Sequence, residues 1–128
     1  MELSEIPDLS RFKKLKQLAI NNNKLKQLPP LPVGLEELHC ESNKLHHLGR
    51  LPKELKILRC DVNELTLLSD LPSKLEVLSC ENNELEHLHT VHLLTKLKEL
   101  NCDENVIPKH LRSTIEILNG ERLNDDDN

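Results

Sequence analysis

Leucine recurs along this chain in a fixed frame. At Leu55, Leu58, Cys60, Asn63, Leu65 and Leu68 the order is L-x-x-L-x-C-x-x-N-x-L-x-x-L. Twenty residues earlier the frame holds Leu35, Leu38, Cys40, Asn43, Leu45 and Leu48, and twenty later Leu75, Leu78, Cys80, Asn83, Leu85 and Leu88. A repeat of this length is the signature of a solenoid in which each coil contacts only its neighbours. Within the unit, Leu58 and Cys60 alternate as a strand requires, so both point to one side while Ile57, Arg59 and Asp61 point to the other. One such strand cannot bury its leucines, whereas parallel copies stacked at about 4.8 Å turn them into a continuous core. Asn63 marks the turn out of the strand, where its amide offers both a donor and acceptors to backbone groups left unpaired inside the coil. Asn23, Asn43, Asn63, Asn83 and Asn105 are therefore expected to form an internal ladder.

The frame predicts one repeat domain over residues 1–123. Residues 1–14 read as a half-repeat lacking its strand, because Leu3, Ile6, Leu9 and Phe12 match Leu85, Leu88, Val91 and Leu94. Five coils follow over 15–114. The first ends in Pro29-Pro30-Leu31-Pro32, and Leu51-Pro52 and Leu71-Pro72 repeat the device. Proline fixes its own φ and biases the preceding residue toward extended backbone, so these return arms should be extended rather than helical. In the fourth coil Val91-His92-Leu93-Leu94 replaces the proline arm, which suits a short helical or 3₁₀ turn. A last strand is expected over 115–123, with Gly120 and Leu123 breaking the frame as terminal repeats do. Residues 124–128 form an acidic tail.

Composition narrows the picture. Trp and Tyr are absent and Phe12 is the only aromatic residue, so the core must come from many small repeated contacts rather than a few rings. The four cysteines, Cys40, Cys60, Cys80 and Cys102, fall on the inward position that Ile20 also fills. They are expected to be buried free thiols acting as small hydrophobes in a reducing compartment, not a disulfide framework. The acidic start Met1-Glu2-Leu3-Ser4-Glu5 predicts no Sec-type signal peptide, and no apolar run long enough to span a membrane follows.

The frame is a leucine-rich repeat. With Leu-Pro arms such as Leu28-Pro29-Pro30-Leu31-Pro32-Val33-Gly34-Leu35, it resembles the bacterial-effector repeats of the YopM/IpaH type, whose consensus runs L-x-x-L-x-V-x-x-N-x-L-x-x-L-P-x-L-P. The resemblance is close over about 15–88; cysteine in place of the consensus valine is a departure. It implies an α/β-class leucine-rich-repeat solenoid, with short parallel strands on the concave face and mostly extended or 3₁₀ return arms on the convex face. It also implies a chain made in the bacterial cytoplasm, secreted into the host cell cytoplasm, and binding a host protein or another bacterial effector. Some members carry a separate ubiquitin-ligase domain with a catalytic cysteine. No such domain fits here, since the repeats take up the chain and each cysteine has a place in the core.

Because the inward columns are used in packing, binding chemistry must lie on the outward ones. Lys16, Glu36, Lys56, Glu76, Lys98 and Glu116 alternate in sign from coil to coil, which favours the parallel register. Asn21, Glu41, Asp61, Glu81, Asp103 and Glu121 instead place carboxylates in sequence with no base among them, which is repulsive in the free protein. That column is expected to dock lysine or arginine on a partner. Between them run Gln17, Glu37, Ile57, Val77, Glu99 and Ile117, then Ala19, His39, Arg59, Ser79, Asn101 and Asn119. Ile57, Val77 and Val62 are expected to form the dry centre of an interface with the carboxylates as its rim. The partner-binding set is therefore His39, Glu41, Ile57, Arg59, Asp61, Val62, Val77, Ser79, Glu81, Asn101 and Asp103. Six strands at about 4.8 Å span roughly 25 Å, enough for one protein partner bearing a basic patch.

Other classes fit less well. His87, His89 and His92 come nearest to metal-ligand spacing, but no cysteine is available to join them, and neither a metal nor a cofactor is expected. No nucleophile-base-acid order, phosphate-binding glycine loop or convergent carboxylate pair emerges, so no enzyme is expected. A net charge of -5 and a carboxylate column argue against nucleic acid, whose binding depends on neutralising phosphates. The expected protein is a monomer until it binds, acting as a regulator or inhibitor that covers a functional surface of its partner, or as an adaptor bridging two.

Overall fold

The computed structural model describes residues 2–86, 88 and 91–105. Within them, each coil contributes one short strand: β1 Gln17–Ala19, β2 Glu37–His39, β3 Ile57–Arg59, β4 Val77–Ser79 and β5 Glu99–Asn101. They form one parallel sheet in chain order. Leu18, Leu38, Leu58, Leu78 and Leu100 lie side by side in register, so a shift of one residue would put every leucine into solvent. This parallel-strand solenoid is the expected architecture, with almost no helix. The expected 3₁₀ turn is present at Val91–Leu93. The final strand at 115–123, the fifth return arm and the acidic tail lie outside the described residues.

Each coil closes through the same turn. The amides of Leu35, Leu55 and Leu75 donate to the carbonyls of Pro32, Pro52 and Pro72 at 3.3, 3.3 and 3.2 Å. Leu97 donates in the same way to Leu94 (3.2 Å) and Leu15 to Phe12 (3.1 Å), so these positions do the work of proline where it is missing. Leu3 makes to the first coil the bonds that Leu25 makes to the second. Its amide donates to Asn23 Oδ1 (2.8 Å) and its carbonyl accepts from Lys24 N–H (2.7 Å).

The asparagine ladder is as the frame predicts. Asn63 Nδ2 donates to the carbonyls of Cys40, Cys60 and Asp61 at 3.1, 3.1 and 3.2 Å, and Oδ1 accepts from Leu45 N–H at 3.0 Å. Asn43 and Asn83 repeat the pattern. One side chain thus ties two coils together at the point where the strand ends. The residue just before each asparagine makes that turn with positive φ: Asn22, Ser42, Val62, Asn82 and Glu104, at 61, 55, 54, 54 and 58°. Asparagine tolerates this region, whereas a β-branched valine is strained there.

Cys40, Cys60 and Cys80 are fully buried in the leucine core. Burial pushes the Cys40 thiol up to about 12, with the Glu41 and Asp61 charges adding to it, and raises Cys60 and Cys80 well above the ordinary thiol range. The expectation of four buried thiols needs one correction: Cys102 is only partly buried. Its coil is the last one described, and the frame that marks it inward does not say how far cover extends. Native protein treated with a bulky disulfide reagent at neutral pH is expected to lose the Cys102 thiol first, the other three reacting only on unfolding. Ready reaction of all four in the native state would overturn the packing.

The backbone ladder stops at the far side of the coil. Glu64 N–H donates to Leu45 C=O and Glu84 N–H to Leu65 C=O. Beyond those bonds, the amides and carbonyls of residues 46–51 and 66–71 have no backbone partner among the described residues. Across 46–51 and 66–71 the arms are held by leucine packing, with the side-chain bridges His46–Glu64 (3.1 Å) and Lys74–Glu54 (2.6 Å) at their margins.

Candidate functional site

The strands present their outward residues as two adjacent columns. Ile57 and Val77 are register partners on β3 and β4, half-buried by their neighbours, and make the apolar centre of the face. Arg59 follows on the same side of β3, flanked by His39 and Ser79. Val62 does not join them. It is 48% exposed and sits in the left-handed turn beyond the strand, past the carboxylate column.

Polar side chains on this face bind one another. His39 Nε2 lies 2.7 Å from Glu37 Oε2, and its Nδ1 lies 3.9 Å from Glu41 Oε1. That Glu41 oxygen is buried and has no hydrogen-bond partner among the described residues. Asn101 Nδ2 donates to Glu99 Oε2 at 3.1 Å. Lys16 and Lys98 approach Glu36 and Glu76 at 3.9 and 3.8 Å, so the alternating column pairs at these two steps, while Lys56 between them makes no ion pair with a described residue; pairs this exposed contribute little to stability.

The carboxylate column is not uniform. Ser79 Oγ donates to both Asp61 oxygens, at 2.8 and 2.9 Å, and Glu81 N–H donates to Asp61 Oδ1 at 2.6 Å. Ser79 is 4% exposed, and its hydroxyl is spent on Asp61. Asp61 is thus a structural acceptor as well as a surface charge. Glu81 has a different environment. Partial burial raises its carboxyl above the usual range, and the charges of Asp61, Asp103 and Glu104 raise it further. A carboxylate placed this way is stabilised by any cation brought alongside it. Asp103 is exposed, and Glu81 and Asp103 are the more available pair of the column.

A second surface escaped the reading of outward strand residues. It lies among the return arms, where Val33 is 65% and Leu67 44% exposed. A signal for it exists: Leu67 stands where the other coils carry Gln27, His47 and His87. His87 and His89, and the side chain of His92, lie outside the described residues, and so does any ligand set built on them. Among the described residues no cluster of histidine, cysteine or carboxylate side chains has the makings of a metal site. None of their helices is long and apolar enough to cross a membrane.

The stacked coils match a solved structure of YopM, a leucine-rich effector protein from Yersinia pestis, with a TM-score of 0.77 and 36% identity. The match covers 81% of this chain and 30% of that one. The chain belongs to the YopM type of leucine-rich-repeat protein. It spans less than a third of the length of that relative. No protein-family model matches the sequence, and the curated proteins give no match either. The YopM-type fold is a protein-interaction scaffold, in which the packed interior sets the spacing of side chains on the strand face.

Proposed function

We propose that the strand face binds a partner protein through a basic patch, and that the chain acts as a regulator or inhibitor by covering a functional surface of that partner. The observation that carries this reading is Glu81, held among like charges two residues past the strand that carries Val77, the register partner of Ile57. A lysine or arginine laid between Glu81 and Asp103 relieves that repulsion, while Ile57 and Val77, two columns away on the same face, offer the partner an apolar contact. Arg59 sets the register by repelling a cation placed one column away. The likeness to an effector protein supports delivery into a host cell, with a host protein or another effector as the partner.

The test is a pull-down from host and bacterial lysates with wild-type protein, the captured protein being identified by mass. Glu81→Lys/Asp103→Lys is expected to weaken capture at least tenfold, with wild-type capture itself falling as salt is raised. These positions are a cleaner choice than Asp61, whose replacement would also strand the Ser79 hydroxyl. Capture that survives both charge reversal and high salt would refute an acidic clasp. Retention of nucleic acid at low salt would point to a different class of partner.

A further inference from the structure

The return arms of the first three coils enclose a groove of about 1290 Å³ on the side of the molecule away from the sheet. Its walls are mostly aliphatic and proline side chains, including the exposed Val33 and Leu67, with His46 and His47 among them. Two features set it apart from an ordinary greasy seam. The first is backbone: residues 46–51 and 66–71 line it, and their amides and carbonyls have no backbone partner among the described residues. The second is charge. Arg50 and Lys53 line the groove, both exposed and without an ion-pair partner among the described residues. Of the acids beside them, Glu54 is neutralised by Lys74 at 2.6 Å, leaving Asp70 as the only uncompensated carboxylate in the lining. In a chain of net charge -5, this is a local excess of positive charge.

We infer that the groove is a second docking site, which takes an extended, proline- or leucine-bearing segment of another protein flanked by acidic residues. An extended segment has the shape to lie along extended arms and the free backbone groups to bond with theirs. Its apolar side chains cover Val33 and Leu67, and its carboxylates meet Arg50 and Lys53. The site lies off the strand face and asks for the opposite charge. A chain with both sites engaged holds two partners at once, one basic and one acidic.

Fluorescence anisotropy of a labelled synthetic peptide in which leucine and proline alternate with aspartate tests this on the full chain. The same peptide with lysine for aspartate is the control. Binding of the aspartate peptide is expected, with the lysine peptide roughly tenfold weaker. Arg50→Glu/Lys53→Glu should reverse that preference, and Leu67→Glu should abolish binding. All three positions are exposed, so unchanged circular dichroism and melting will separate lost binding from lost fold. Glu81→Lys/Asp103→Lys should leave this binding intact, so that the two sites stand or fall separately. Absent binding, equal binding of the two peptides, or binding indifferent to Leu67→Glu would overturn the inference. So would concentration-dependent self-association abolished by Leu67→Glu, which would assign the groove to a second copy of the chain.

Discussion

Asn63→Ala is expected to lower the free energy of unfolding by about 3 kcal/mol, and Asn63→Asp by more. The alanine strands the buried Leu45 amide and takes the donor from three carbonyls. The aspartate keeps an acceptor for Leu45 but turns a carboxylate toward those same carbonyls, in a site only 8% exposed. Because coils touch only their neighbours, the damage should also uncouple the first two coils from the rest and broaden the transition. Urea melts followed by circular dichroism will read both effects. Asn23→Ala, at the partly exposed start of the ladder, should cost visibly less. Equal midpoints for wild type and Asn63→Ala would mean that the column does not hold the coils together.

Leu58→Ala should cost about 4 kcal/mol, near the upper end for a buried leucine. Leu58 is fully buried between Leu38 and Leu78. With no aromatic side chain in the core to shift into the space, the cavity should stay open. Ile57→Ala, one residue away on the same strand but facing outward, should cost within about 1 kcal/mol. A comparable loss at both positions would contradict the assignment of inward and outward columns.

The fold was legible because its determinants are local and repeated. Leucine at a constant interval together with alternation within the strand leaves one register, and asparagine at the strand exit leaves one way to satisfy the coil's interior amides. The left-handed turn was less legible, since Val62 and Glu104 occupy it alongside the more tolerant Asn22 and Asn82. The site was legible as columns of charge but not as chemistry. Asp61 and Ser79 are both outward polar residues in the frame, and nothing in their spacing says that their side chains meet or that Ser79 is covered. Cys102 shows a related limit: a repeat states which way a residue faces, and the extent of the stack decides how deeply it is covered. The return-arm groove depends on how far neighbouring arms stand apart, which no residue pattern encodes; only Leu67, apolar in a polar column, hints at it.

Hydrogen bonds fasten the coils to one another along the sheet and through the turn after it, but not between the arms at 46–51 and 66–71. A fabric stitched on one border and merely pressed together on the other has two unlike stiffnesses. Tension along the stitched border is shared among bonds loaded in parallel, whereas prising at the loose border meets sliding leucines and a few exposed ion pairs. A visitor lodging among the arms can therefore spread them at modest cost while the spacing of the opposite side chains stays put.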